Sequence, residues 1–164
     1  MIEIQQLKPD ESERLRTIRL AALQDAPQAF DSTFQQMVTL SPEGWLRQLQ
    51  TLPTFVGVVA GADSGMARGA PYSNDDSSAS LISLWVAPKA RGLGVGEALI
   101  NAVAAWARSE GYVQLFLDVG IENASAVALY TRKGFKPTGK TGHLPPPRDH
   151  VKEQEMVLEL FVRS

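Results

Sequence analysis

The segment Arg91-Gly92-Leu93-Gly94-Val95-Gly96 carries the clearest chemistry in this sequence. Glycines at 92, 94 and 96 let the backbone curl so that several N–H groups converge. The segment leaves an apolar run, Leu81–Ala87, stopped by Pro88, and enters a helical pattern over Gly94–Ser109. The first amides of such a helix are unpaired and carry partial positive charge. Arg91 adds a full charge with its donors in a fork. Together these features specify a site for a phosphate or diphosphate at a helix start. Two common versions of such a site fail on spacing. A dinucleotide fingerprint needs GxGxxG, and Glu97 follows Gly96 directly. A Walker loop needs Gly-Lys followed by Ser or Thr, whereas Gly96 here is followed by Glu97 and Ala98. A bare strand-to-helix turn would need neither three alternating glycines nor the arginine.

The elements that position this loop follow from periodicity. Ile2–Leu7 alternates as a strand, and Pro9 opens a helix reaching about Gln24. A second helix fits Ser41–Gln50, with Ser41 as N-cap and Pro42 in its first turn. Thr54–Ala60 reads as a strand, Gly61–Gly65 as a turn and Met66–Ala70 as a short return strand. Pro71–Ser78 is polar and reads as a loop. In the helix Gly94–Ser109, residues Val95, Leu99, Ala102, Val103 and Trp106 share one face. Val113–Val119 alternates as a strand, a helix covers about Ser125–Lys133, and strands fit Phe135–Lys140 and Glu153–Phe161. This order is that of an α/β protein, a mixed sheet with a central βαβ unit and flanking helices.

Composition narrows the possibilities further. At 164 residues the chain reads as one domain, 1–164, large enough to bury a core without staples. A net charge of -2 gives no footprint for nucleic acid. Cysteine is absent, which removes thiol nucleophiles, disulfides and Cys-based zinc sites. The two histidines have no metal-binding spacing with acidic partners, so no metal is expected. No stretch has the length of a membrane span, and the first residues do not resemble a signal peptide, so a cytoplasmic location is expected.

The string Val86-x-Pro88-x-x-Arg91-Gly92-x-Gly94-x-Gly96 resembles the acetyl-CoA signature of the GNAT superfamily of N-acetyltransferases, (Gln/Arg)-x-x-Gly-x-(Gly/Ala). A second string, Asn123-Ala124-Ser125-Ala126-x-x-Leu129-Tyr130-x-Arg132-x-Gly134-Phe135, is similar to that family's Asn-x-x-A-x-x-LY-x-(Lys/Arg)-x-GF motif. The two stand in the family's order with the expected strand between them. The resemblance implies a GNAT-like fold with a mostly antiparallel sheet. It also implies acetyl-CoA as cosubstrate, with its pyrophosphate on the amides of Arg91, Gly92, Leu93, Gly94, Val95, Gly96 and Glu97. The pantetheine arm would pair with the strand backbone at Leu84, Trp85 and Val86, as an added strand does. Asn123, with Ser125 beside it, would bind that arm or cap the helix that follows.

By the same resemblance, Tyr130 is the catalytic candidate. Attack of an amine on a thioester expels a thiolate, and a phenol is a reasonable hydrogen-bond donor to it. With a thiol near 8.5 and a phenol near 10, full proton transfer is uphill by roughly 2 kcal/mol. Tyr130 also lies at helical spacing with Ala126 and Leu129, where a core tyrosine would stand. The general base is less marked. Freeing a lysine-like amine at pH 7 costs roughly 4.6 kcal/mol. Many family members have a Glu at the start of the fourth strand, where this chain has Ala79-Ser80-Leu81. Asp31, Glu122, Asp118, His143 and His150 are the remaining candidates, each alternatively a solvated loop or strand-end residue. The acceptor would lie between residues 26–33 and 141–152, with Phe30 and Asp31 as substrate contacts, Phe30 alternatively a satellite core contact, and Pro145–Pro147 as a stiff wall. Arg148 would pair with an acidic substrate group or stay solvated.

The resemblance therefore implies an N-acetyltransferase acting on an amine of a small molecule or peptide, with a homodimer as a family-level expectation. The alternative is an inactive acyl-CoA-binding regulatory domain.

Overall fold

Alternating strands and amphipathic helices build a seven-stranded sheet in the order β1-β2-β3-β4-β5-β7-β6. The computed structural model describes residues 1–73 and 75–161. The strands are β1 (Ile2–Gln6), β2 (Thr54–Val59), β3 (Ala62–Pro71), β4 (Ser78–Val86), β5 (Gln114–Gly120), β6 (Lys136–His143) and β7 (Lys152–Glu159). The helices are α1 (Ser12–Asp25), α2 (Phe34–Val38), α3 (Pro42–Thr51), α4 (Val95–Ser109) and α5 (Ala124–Arg132). Every strand pair is antiparallel except β4 with β5, which are joined through α4 as the βαβ unit. No helix among the described residues is long and apolar enough to cross a membrane.

The pleat sorts side chains to two cores. Val56, Met66 and Trp85 lie in one register row and join Leu15, Leu23 and Trp45 of α1 and α3. Leu115, Leu117 and Val119 face the other way, onto Leu99, Val103, Tyr130 and Phe135. Within α4 the buried stripe is Val95, Leu99, Ile100, Val103, Ala104 and Ala107, while Ala102 and Trp106 are only half-buried. The Trp106 ring instead lies over Gly69, where a Cβ would meet it at 2.4 Å.

Several boundaries differ from those the sequence suggests. The turn between β2 and β3 is not Gly61–Gly65. It is tight at Ala60 and Gly61, with φ of 51° and 79°, the mirror-image geometry that matches strand twist. Asp63, Ser64 and Gly65 therefore belong to a longer β3, despite their loop-like composition. The loop before β4 is correspondingly shorter, since β4 begins at Ser78. Pro9–Glu11 forms a separate 3₁₀ turn ahead of α1. Helix α2 had no counterpart in the periodicity. It is held by a reciprocal cap, in which the Gln36 amide donates to Thr33 Oγ1 (3.2 Å) and the Thr33 amide to Gln36 Oε1 (3.0 Å).

The feature that makes a binding site is a divergence. The β4–β5 ladder pairs only Ser78–Ser80 with Gln114–Phe116. Beyond Ser80 the strands part, and the register of β4 with β3 shifts near Ser83, whose φ is 59°. Helix α4 packs closely beneath, and Gly65 leaves room for it. A Cβ there would lie 2.8 Å from the Trp85 carbonyl oxygen and 2.9 Å from Val95 Cγ1. A backbone oxygen cannot swing aside, so Gly65→Ala is expected to destabilise by about 1–3 kcal/mol. Urea denaturation checks this, and a variant as stable as the parent would contradict the packing.

Candidate active site

A cleft of about 1230 Å³ opens where β4 and β5 part. Its walls include Leu84, Trp85 and Val86 of β4, the Arg91–Glu97 segment except Leu93, and Asn123, Ser125 and Tyr130. The residues expected from the two motifs are thus brought together, apart from Leu93, which stands 56% exposed and off the wall. On the β5 side, the backbone of β4 from Leu81 to Val86 has no ladder partner among the described residues.

The glycine loop is built as its composition requires. Gly92 and Gly94 have φ of 80° and 94°, a region L side chains rarely adopt, and Gly94 is the residue before the first turn of α4. Gly96 serves a different purpose, since a Cβ there would sit 3.1 Å from Leu129 Cδ2 of α5. Arg91 does not extend freely from the loop. Its Nη2 donates to Asp25 Oδ2 (2.6 Å) and its Nε to the Val86 carbonyl (3.1 Å). The same Asp25 oxygen accepts from Trp85 Nε1 at 2.9 Å. The arginine therefore fastens the loop to the end of α1 and offers the cleft a partly neutralised charge. Glu97, in the first turn of α4, is matched by Lys133 Nζ at 3.4 Å.

Asn123 performs the capping role of its two alternatives. Its Oδ1 accepts from the Ala126 amide and from Ser125 Oγ, each at 3.3 Å. Its Nδ2 keeps no partner among the described residues, so an arm lying in the cleft could still engage it. Tyr130 is 8% exposed and meets Phe135 edge-on, with ring centroids 5.7 Å apart. Both the core and the cleft thus claim it. Its hydroxyl has no hydrogen-bond partner among the described residues, and burial raises its pKa above the ordinary phenol value. The phenol therefore stays protonated and able to donate across the working pH range.

The far half of the cleft, beside the α1–α2 loop, holds what the sequence left scattered. Phe30 is buried and lines the cleft, with the Arg19 guanidinium 4.7 Å from its ring centroid. Arg148 is half-buried and engaged by protein rather than left as a free anion site. Its guanidinium donates to the carbonyls of Pro27, Phe30 and Asp31. Among the base candidates, Asp118, Glu122 and His150 line the cleft, whereas His143 and Asp31 do not. Asp118 faces away from Leu117 and Val119, directly opposite Glu155 of β7. Its pKa is raised, first by desolvation and then by Glu155 and Asp31, with Lys140 opposing.

Two carboxylates that motif reading missed stand beside it. Glu153 is half-buried and pushed up to about 7, first by desolvation and then by Asp31 and Asp118, against Arg148 and His143. Glu155 is buried and accepts from Tyr72 Oη (2.8 Å) and Thr138 Oγ1 (3.1 Å). The alternation in Lys152–Glu159 puts both on one face. Only the β5–β7 register reveals that this is the face of Asp118.

A model of the acetyltransferase (GNAT) family matches residues 19–135. This chain belongs to the GNAT acetyltransferase family. Human N-acetyltransferase 8 is 41% identical over 61 residues, 37% of this chain and 27% of that protein. Streptothricin acetyltransferase of Streptomyces lavendulae is 37% identical over 82 residues, 50% of this chain and 43% of that protein. The chain thus spans less than half the length of either curated relative. Among solved structures, yncA of Salmonella typhimurium, described with its cofactor acetyl-CoA, aligns with a TM-score of 0.77 and 19% identity, covering 100% of this chain and 96% of that one. The likeness extends to the mixed sheet as a whole.

Proposed function

We propose that this chain transfers the acetyl group of acetyl-CoA directly to an amine of a small molecule or peptide. The observation that carries the reading is the open backbone edge of β4, which shares one cleft with the glycine loop and the Tyr130 hydroxyl. An amide-bearing arm would pair with Leu84–Val86 as an added strand. The amides at the start of α4 would hold the diphosphate, and Asn123 Nδ2 would steady the arm. Acetyl-CoA supplies an activated acyl group as a thioester. Tyr130 donates a hydrogen bond to the departing sulfur, where negative charge develops. Burial of the phenol makes complete proton transfer harder than for a free tyrosine, so its role is a shared proton rather than outright protonation of the thiolate.

Asp118 is the proton acceptor in this reading. It lines the cleft, and its raised pKa makes it a stronger base than an unperturbed carboxylate. The carboxylate missing at the start of β4 is thereby offset from the neighbouring strand β5.

Binding is the first test. Acetyl-CoA at 100 times its Kd would stabilise the fold by about 2.7 kcal/mol. The melting temperature would rise by roughly 5–10 °C for a chain of this size. Gly94→Val is expected to shrink that rise, because a β-branched residue resists the left-handed conformation that would turn the loop amides towards the diphosphate. Absence of a rise in the parent protein would sink the reading. Release of free thiol with a panel of amines then distinguishes transfer from binding alone.

A further inference from the structure

Arg148 ties together the two loops that bound the acceptor half of the cleft. From the β6–β7 loop, its Nη1 donates to the carbonyls of Pro27 (2.7 Å) and Phe30 (2.5 Å), and its Nη2 to that of Asp31 (2.6 Å). These partners are 117–121 residues away in sequence, so the contact fixes one loop relative to the other. All three acceptors are backbone oxygens. No carboxylate lies within salt-bridge distance of the guanidinium among the described residues, so its full charge persists beside the strands. That charge acts on Glu153, which also feels Asp31 from the opposing loop, Asp118 of β5 and His143 of β6. Glu155 shares the face on β7, and Lys140 acts on Asp118 from β6.

We propose that Arg148 is a positioning residue for a cationic acceptor amine: it holds residues 27–31 as the wall opposite Asp118 and sets its charge among the carboxylates on that face of the sheet. This inference rests on the acetyl-transfer reading. A guanidinium suits both tasks, because its planar fork reaches several carbonyls at once while its charge acts on a neighbouring carboxylate. An ammonium would supply the charge without the fork, and an amide would supply neither.

That difference designs the experiment. Arg148→Lys and Arg148→Gln are compared with the parent full-length chain by three measurements. These are amide exchange of residues 27–31, carboxyl carbon NMR titration of Glu153, and steady-state kinetics with spermidine and L-lysinamide as acceptor probes. Both variants are expected to exchange faster in the loop and to raise the acceptor KM by about tenfold or more, with acetyl-CoA affinity unchanged. Only Arg148→Gln is expected to move the Glu153 midpoint, and with it the acid limb of kcat/KM, to higher pH by about half a unit or more. The direction follows because loss of a nearby cation disfavours the anion. A merely structural arginine would leave the titration unmoved.

Parent-like KM and an unmoved Glu153 midpoint in Arg148→Gln would overturn the proposal. If that variant does not fold, Arg148→Lys decides: a raised KM with an unmoved acid limb supports the proposal, and a parent KM overturns it. Should the parent protein bind no acetyl-CoA, the acetyl-transfer reading and with it this assignment fail, whereas the exchange and titration data still report what Arg148 does to the loop and to Glu153.

Discussion

Tyr130→Phe is expected to lower kcat by about 10²- to 10⁴-fold while leaving acetyl-CoA affinity and fold stability nearly unchanged. The rate loss corresponds to about 2.7–5.5 kcal/mol at the transition state. The separation of activity from stability follows from the surroundings of the side chain. The ring packs against Phe135 on its core side, and phenylalanine preserves that edge-on contact. The hydroxyl has no protein partner among the described residues, so its removal orphans no other group. Deleting a polar atom that gains nothing from the fold is neutral or slightly stabilising. Stopped-turnover thiol release, acetyl-CoA titration and urea denaturation on the same preparation check all three statements. A variant with parent-like kcat would remove Tyr130 from the mechanism and return it to the core. A variant that lost cofactor affinity together with rate would show that the hydroxyl binds rather than donates in the reaction.

What was legible in the sequence was local. The glycine loop declared itself because positive φ and a helix start are written within a few residues, and Gly92 and Gly94 occupy that conformation. The motif Asn123 to Phe135 lies on one helix and its flanks, so its parts needed no long-range pairing to be read together. Helix α2 was equally local, marked by Thr33-x-x-Gln36, but it is too short for hydrophobic periodicity to reveal. The carboxylates of the acceptor half were not legible. Glu153 and Glu155 meet Asp118 only through the antiparallel register of β5 with β7, across more than thirty residues of chain. A one-residue slip would send them to the opposite face. Arg148 likewise gains its role from a loop on the other side of the fold. Arg91 was read as a phosphate ligand from its spacing, but its side chain also has Asp25 and Val86 as partners, contacts that only tertiary structure supplies.

Asp118→Asn is expected to reduce kcat/KM by about 10²-fold or more and yet to make the protein more stable at neutral pH. The two effects share one cause. Loss of solvent first, and then Glu155 directly opposite and Asp31 within reach, raise the pKa of Asp118. Like charges placed directly opposite across a ladder destabilise, by about 0.2–1 kcal/mol, and the amide relieves that repulsion. In the proposed reaction the same raised pKa would let the carboxylate compete for the amine proton, and the amide cannot accept it. The pH dependence carries the matching sign. Asp118 and Glu153 have folded pKa values above their unfolded ones, with Glu153 at about 7. Their penalty is absent below the unfolded values near 4 and grows as pH rises towards 7, because the unfolded chain releases its protons first. Stability should therefore fall across that window in the parent and fall less in Asp118→Asn. Activity should rise across the same window in the parent, since the base must be deprotonated, and the variant should keep only the limb that Glu153 contributes. The two carboxylates titrate as an interacting set, so the midpoint seen in kinetics belongs to the group rather than to Asp118 alone. Urea denaturation and kcat/KM measured at several pH values between 4 and 8 test both slopes together. A variant that is inactive and also less stable would mean that Asp118 supports the fold and that the proton leaves by another path.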